Sequence, residues 1–422
     1  MAAATRNPLE TWSQAPGPRK PPGELSLAFN LAACSKPFSL ALSPPLKMVG
    51  VTNGTKLSQV LKVGIIGLGE LAQVSHILVL NSLSTHFEIT YISDISQQAL
   101  DLCTKKVAGG SPKTTLNAEE LITSPDTDVV VICNVNAFHP SQAILALQHN
   151  KYVFVEKPLA LNYRDLDAII AAEQTSEAKV FVGYQRRYAE SFLDAVKEVG
   201  GMEKIDYIRV RDIIGQNSSF VDQSGTFPKK YTDYPKQDTA EMKSTEEEMV
   251  KTALIKEIGV DATPGSMTMF RLFTGLGVHD FSALREMVGM PSRVVGASLG
   301  LPIWSVLFQY EGFPVMYESG IIDVPRFDAH IEIYSREKIV RVDYDTPYVK
   351  GLPITMTIRE KIETAKGDGY QEKIVRKTYE DPFTLEFLDF HSCVTKKTIP
   401  KTSAVDARED LDLIKMIMQN AY

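Results

Sequence analysis

The sequence predicts two folded parts: an α/β part built on a doubly wound parallel sheet, then an α+β part with a large, mostly antiparallel sheet. Three observations carry this. Apolar strand-like runs alternate with amphipathic helix-like stretches over residues 62–184, the pattern of βαβ units. A glycine-rich turn joins the first strand to the first helix. Beyond Tyr207 the apolar period changes to two, the mark of strands with one packed and one freer face.

The first strand, Lys62-Val63-Gly64-Ile65-Ile66, is short, β-branched and apolar, as a buried parallel strand should be. It runs straight into Gly67-Leu68-Gly69-Glu70-Leu71-Ala72, a G-x-G-x-x-A turn. Past the turn, Leu71, Val74, Ser75 and Leu78 recur at helical spacing. Strand, turn and helix in this order form the dinucleotide-binding fingerprint. Gly67 permits the tight turn, Gly69 lets backbone approach a pyrophosphate, and Ala72 lets helix pack close on strand. The helix start at Glu70 and Leu71 turns free N–H groups toward the phosphates. The second apolar run, 87–92, ends in Ser93-Asp94. A carboxylate there accepts hydrogen bonds from an adenosine ribose diol and repels a 2′-phosphate, so of NAD and NADP it favours NAD. A solvated loop aspartate or a helix cap is the alternative reading of Asp94.

Composition bounds the rest. At 422 residues the chain is long enough for two cores. Its 44% hydrophobic and 23% charged content is that of an ordinary globular protein. A net charge of -7 without a basic stripe argues against nucleic acid or an anionic membrane as partner. Cys34, Cys103, Cys133 and Cys393 are scattered without C-x-x-C spacing, which suits a reducing compartment and gives no metal site. No apolar run reaches the roughly 18 residues of a membrane span. Residues 1–61, rich in Pro, Ala, Ser and Gly, read as a disordered leader, with Met48 an alternative start. Their acids Glu10 and Glu24 fit neither a signal peptide nor a mitochondrial presequence, so a cytoplasmic protein is expected.

Within the first part, a strand at 128–133 ends in Asn134-Val135-Asn136-Ala137-Phe138-His139, a loop that should line the ligand crevice at the carboxyl edge of the sheet. The next strand, Tyr152-Val153-Phe154-Val155, is followed at once by Glu156-Lys157-Pro158. A lysine at such a strand end is partly desolvated, its pKa lowered, and able to assist a substrate hydroxyl during hydride transfer. An exposed lysine paired with Glu156 is the alternative.

Taken together, these motifs resemble the Gfo/Idh/MocA family of NAD(P)-dependent oxidoreductases. The matching residues are 63–72, Asn136-x-x-His139, Glu156-Lys157-Pro158-Leu159-Ala160 and Val182-Gly183-Tyr184-Gln185-Arg186-Arg187-Tyr188. The resemblance implies a Rossmann domain over 62–184 and a substrate or oligomerisation domain over 185–422. It implies that Lys157 is catalytic, with Asn136, His139, Glu156 and Arg186 along the cofactor. A small-molecule substrate and a homo-oligomer through the second sheet are implied with it.

In the second part, Tyr207-Ile208-Arg209-Val210, the alternation of Trp304, Val306, Phe308 and Tyr310, and the runs near 329–334, 339–342, 354–358 and 374–376 read as strands. A long insertion at 221–249 carries Ser244-Thr245 before Glu246-Glu247-Glu248, which reads as a capped helix start. The loop ahead of it is a candidate substrate lid. A helix beginning near His279 would place the imidazole at a positive dipole end and keep it neutral. Relatives often carry H-x-x-D-x-x-x-H or -Y here, whereas this chain has Ser282 and Glu286 at the last two positions and an aspartate at Asp280. Lys157, His279 and Asp280 are therefore the expected catalytic residues, with Glu286 an alternative acid/base. The expected activity is NAD(P)-dependent hydride transfer to or from a secondary alcohol or ketone of a sugar, polyol or cyclic small molecule. A non-catalytic NAD-binding regulator and an NAD-assisted glycoside-cleaving enzyme are the alternatives.

Overall fold

The computed structural model describes residues 59–422, apart from 353. The leader expected over 1–61, with its alternative start at Met48, lies outside the described residues except for its last three positions.

The first sheet runs in the order β3-β2-β1-β4-β5-β6, all parallel. Its strands are β1 (Leu61–Ile66), β2 (Phe87–Ser93), β3 (Lys113–Thr115), β4 (Val129–Ile132), β5 (Tyr152–Glu156) and β6 (Val180–Gly183). Helices α1 (Ile77–Ser82), α2 (Gln97–Lys106), α3 (Ala118–Thr123), α4 (His139–Gln148) and α5 (Tyr163–Gln174) make the crossovers. β4 is buried at every position because helices cover both faces of the sheet. The strand order reverses between β1 and β4, so a crevice opens at their carboxyl ends.

The first helix enters through a π-turn, Ala72–His76, and is buried nearly all round: Leu71 and Leu78 keep some exposure, while Gln73, Ser75 and His76 are buried. A helix wrapped on every side needs a cover opposite the sheet. That cover is α11 (Pro382–Lys396), which comes from the far end of the chain, after α6 (Glu190–Gly200), α7 (Asn217–Val221), α8 (Lys236–Lys251), α9 (Pro264–Leu272) and α10 (Val278–Val288). Phe387 of α11 stacks on Phe154 of β5 at 4.5 Å between centroids, and Phe390 meets Phe154 and Phe181 edge-on. The closing helix α12 (Ala404–Ala421) buries Ile414, Ile417 and Met418, as its spacing predicts.

The second sheet runs β14-β13-β12-β11-β7-β10-β9-β8, antiparallel except between β7 and β10. It comprises β7 (Tyr207–Gly215), β8 (Arg293–Ser298), β9 (Ile303–Gln309), β10 (Pro314–Ile322), β11 (Phe327–Tyr334), β12 (Lys338–Tyr344), β13 (Thr355–Thr364) and β14 (Gly367–Val375). The period of two holds: Trp304, Val306 and Phe308 face the core, as do Ile208 and Val210. On the other face Arg209 pairs with Glu318, and Arg341 and Arg359 both reach Glu332, so opposite charges meet across strands.

Two local expectations are corrected. Ser244 and Thr245 do not start a helix; α8 already runs from Lys236, and the Thr245 hydroxyl donates back to Glu241 O at 2.9 Å, four residues earlier. Nor does a helix begin at His279. α9, a π-turn at Phe273–Gly277 and α10 follow without a break, so the carbonyls of the preceding turn occupy the N–H groups that a free helix start would offer.

Phe387 is fully buried between sheet and first helix. Phe387→Ala should lower unfolding free energy by about 3–5 kcal/mol, measured by chemical denaturation. A loss under 1 kcal/mol would show that α11 does not seal this core.

Candidate active site

At the crevice, Gly67 sits at φ +89, and a Cβ there would lie 2.6 Å from the Asn134 backbone, so glycine alone fits. Gly69 is exposed, and a Cβ on it would meet nothing within 4 Å. That open space above a turn feeding a helix is what a pyrophosphate requires. Asp94 closes the turn from below: one carboxylate oxygen accepts from Leu68 N at 2.7 Å and the other from Ser96 N at 2.8 Å. Burial raises its pKa against these hydrogen bonds, and Asp233 nearby adds to the rise. Asn134, at the end of β4, has a buried side-chain oxygen without a hydrogen-bond partner among the described residues, and Asn136 is half-exposed beside it. Glu70, Leu71 and these asparagines border this open turn, with Ala72 buried beneath it and Glu70 held by Asn217 and Lys230, an arrangement compatible with a dinucleotide.

Lys157 follows β5 directly. Its Nζ donates to Gly275 O at 2.7 Å, in the π-turn that leads into α10. Burial lowers the lysine pKa, Glu156 opposes that shift and Arg186 adds to it. His279, one turn beyond Gly275, is pushed well below the usual imidazole range by burial, then by the Lys157 and Arg186 cations. The structure thus brings Lys157 and His279 together and keeps the imidazole neutral, through burial and charge rather than through a helix dipole.

Four predicted residues are instead buried and held by partners within the protein. His139 is 1% exposed, with Nδ1 2.9 Å from Pro158 O and Nε2 3.2 Å from Asn134 O; it staples the loop after β4 to the loop after β5. Glu156 faces His76, 2.9 Å away. Arg186 donates to Asp280 at 2.6 Å and to Asp212 at 3.0 Å and stacks on Tyr344. Asp280, expected to assist His279, is 2% exposed and committed to that guanidinium; burial and the neighbouring Asp212 carboxylate raise its pKa far above the ordinary value. Burial removes water from all four, so each takes its partners from the protein. Glu286 is likewise engaged, accepting from Arg187 at 2.6 Å and Lys401 at 2.8 Å.

Sequence reasoning missed two contributors. Asp212 continues the inward positions Ile208 and Val210 of β7; an acid in an apolar phase was its signal. Tyr348, after β12, bonds Asn217 and lies in the field of Glu70, Glu156 and Arg186, with burial pushing its hydroxyl to about 12. No sequence pattern announces it. No group of three or more His, Cys, Asp or Glu among the described residues could hold a metal, and no described helix is long and apolar enough to cross a membrane.

Comparison with known proteins agrees with this geometry. Residues 61–184 match the Gfo/Idh/MocA family, described as an oxidoreductase family with an NAD-binding Rossmann fold. The chain is 31% identical over 153 residues to myo-inositol 2-dehydrogenase of Thermotoga maritima, covering 36% of this chain and 44% of that protein. It is 31% identical over 140 residues to the inositol 2-dehydrogenase/D-chiro-inositol 3-dehydrogenase of Lacticaseibacillus casei, covering 33% and 40%. These matches thus span less than half of each relative. Solved structures extend the likeness in fold alone. A levoglucosan dehydrogenase in complex with NADH and levoglucosan superposes with a TM-score of 0.64 at 16% identity, over 86% of this chain and 97% of that one. The 3-ketoreductase KijD10 of Actinomadura kijaniata, in complex with NADP and TDP-benzene, gives 0.63 at 13%, over 86% and 98%. Residues 61–184 of this chain are thus similar to the NAD-binding Rossmann fold of the Gfo/Idh/MocA oxidoreductase family.

Proposed function

We propose that this protein is an NAD(P)-dependent oxidoreductase that interconverts a secondary alcohol and a ketone on a cyclic polyol or sugar-like small molecule. The observation that carries the reading is Lys157 Nζ, directly after β5 and held 2.7 Å from Gly275 O, one turn before His279. The relatives, inositol dehydrogenases and a structurally similar levoglucosan dehydrogenase, support the substrate class.

A nicotinamide held at the crevice supplies the hydride acceptor or donor. Gly67, Gly69 and the helix start at Glu70 and Leu71 bind its phosphates, and Asp94 takes the ribose hydroxyls. The Lys157 ammonium has three donors, of which Gly275 O takes one. The others bind the substrate oxygen and stabilise negative charge on it. Neutral His279 takes the hydroxyl proton onto a ring nitrogen during oxidation and returns it during reduction. Asp280, Asp212 and Arg186 act behind the pair as positioning residues, and His139 and Glu156 brace the loops that carry Asn134 and Lys157. The reading includes a homo-oligomer formed through the ion-paired face of the second sheet; a monomer by light scattering at all concentrations would remove that part.

Lys157→Ala should lower kcat by about 10²–10⁴-fold while NADH binding stays near wild type. Steady-state kinetics on a polyol panel with fluorescence titration of NADH checks this, and normal turnover removes Lys157 from the mechanism. The pH profile of oxidation follows from the shifts. Protonated His279 cannot accept a proton, so the rate falls on acidification, but only well below the usual 6.5. Deprotonated Lys157 loses its charge, so the rate also falls on the alkaline side, earlier than the usual 10.5. His279→Asn should abolish the acid limb and lower kcat by about 10²–10⁴-fold. An acid limb that persists in this variant would assign it to another group.

A further inference from the structure

The insertion between α7 and α8 does not hang free. Gln73, buried in the helix after the glycine turn, donates through its side-chain amide to Lys229 O and accepts from Lys229 N, at 2.9 Å each. Lys230 pairs with Glu70 at 3.1 Å, and Lys106 reaches Thr226 O at 3.4 Å. Asp233 then meets the start of α2: one carboxylate oxygen accepts from the Ser96 hydroxyl, the other from Gln98 N at 3.0 Å. The segment thus straps from the start of the first helix to the start of α2, across the ends of β1 and β2.

The region just past Asp94 is where a dinucleotide presents its adenosine ribose. A 2′-phosphate there needs donors and positive charge, and the start of α2, with the Ser96 hydroxyl and a free amide, is what this chain offers. Asp233 already takes both donors. It also places a second carboxylate beside Asp94, whose pKa responds to it. Nothing in the sequence marks Asp233, which lies 139 positions beyond Asp94 and within the stretch assigned to the second domain.

We propose that Asp233 is a specificity-determining residue that makes this protein select NAD over NADP, by filling the 2′-phosphate position with a carboxylate of its own. The inference rests on the oxidoreductase reading above and names the cofactor that reading leaves open. It assigns the choice to a strap from the second half of the chain acting together with Asp94, rather than to the strand-end acid alone. Charge is the operative property: a serine at 233 frees the Ser96 and Gln98 donors and removes the repulsion, whereas a glutamate keeps the repulsion.

The test is fluorescence titration of the full chain with NADH and NADPH, for wild type, Asp233→Ser and Asp233→Glu, with thermal melts confirming folding. Wild type should bind NADH at least about 100-fold tighter than NADPH, and Asp233→Ser should narrow that ratio at least about tenfold, mainly by tightening NADPH. Asp233→Glu should keep the ratio within about threefold of wild type. A ratio unchanged in a folded Asp233→Ser, or a wild type that prefers NADPH, overturns this inference and leaves the oxidoreductase reading standing. A wild type that binds neither nucleotide overturns both. NADH selectivity that shifts as stated without turnover of any alcohol or ketone supports the inference while sinking the catalytic reading.

Discussion

The arrangement of the site depends on one buried guanidinium. Arg186 leaves the end of β6 and is gripped by Asp212 on β7 and Asp280 on α10, with Tyr344 of β12 beneath it. These contacts join the carboxyl edge of the parallel sheet to the inner face of the second sheet and to the helix that carries His279. Two carboxylates lie around one cation, and burial together with the neighbouring Asp212 carboxylate raises the pKa of Asp280. Removing Arg186 from this buried set would leave two uncompensated carboxylates and cost about 3–5 kcal/mol or more. The placement of Lys157 and His279 is therefore secured by a buried cluster that spans both sheets.

The same cluster sets the electrostatics. Arg186 and Lys157 both push the imidazole of His279 toward its neutral form, and burial does most of that work. Glu156 opposes the depression of Lys157, itself braced by His76 from the first helix. A lysine beside a histidine whose pKa is pushed down is a pairing suited to proton exchange at a hydroxyl. It arises here from four elements that are distant in sequence.

Around this centre the chain folds back twice. α11 covers the first helix with phenylalanines from near the end of the chain, and the strap through Lys229 and Asp233 crosses its start. Both explain why that helix carries Gln73 and His76 at buried positions, where an amphipathic surface helix would place apolar side chains. Gln73 is bonded by the strap, and His76 lies 2.9 Å from Glu156 and edge-on to Phe383 and Phe387.

Local chemistry was sufficient for some of this protein. The glycine turn, the strand-end Asp94, the lysine after β5 and the period of two in the second half are short-range patterns, and backbone geometry alone gives them meaning. The family resemblance rested on those same residues. Only the tertiary structure decided which polar residues are buried and which partners hold them. His139, Glu156, Arg186 and Asp280 share motif positions with Lys157, but their partners, among them Asp212 and His76, come from other elements. Burial forces a polar side chain to find a partner, and that partner is set by packing across the whole chain rather than by neighbours in sequence. Asp233 is the extreme case: an exposed loop acid by pattern, placed at the start of α2 by a strap that no periodicity encodes.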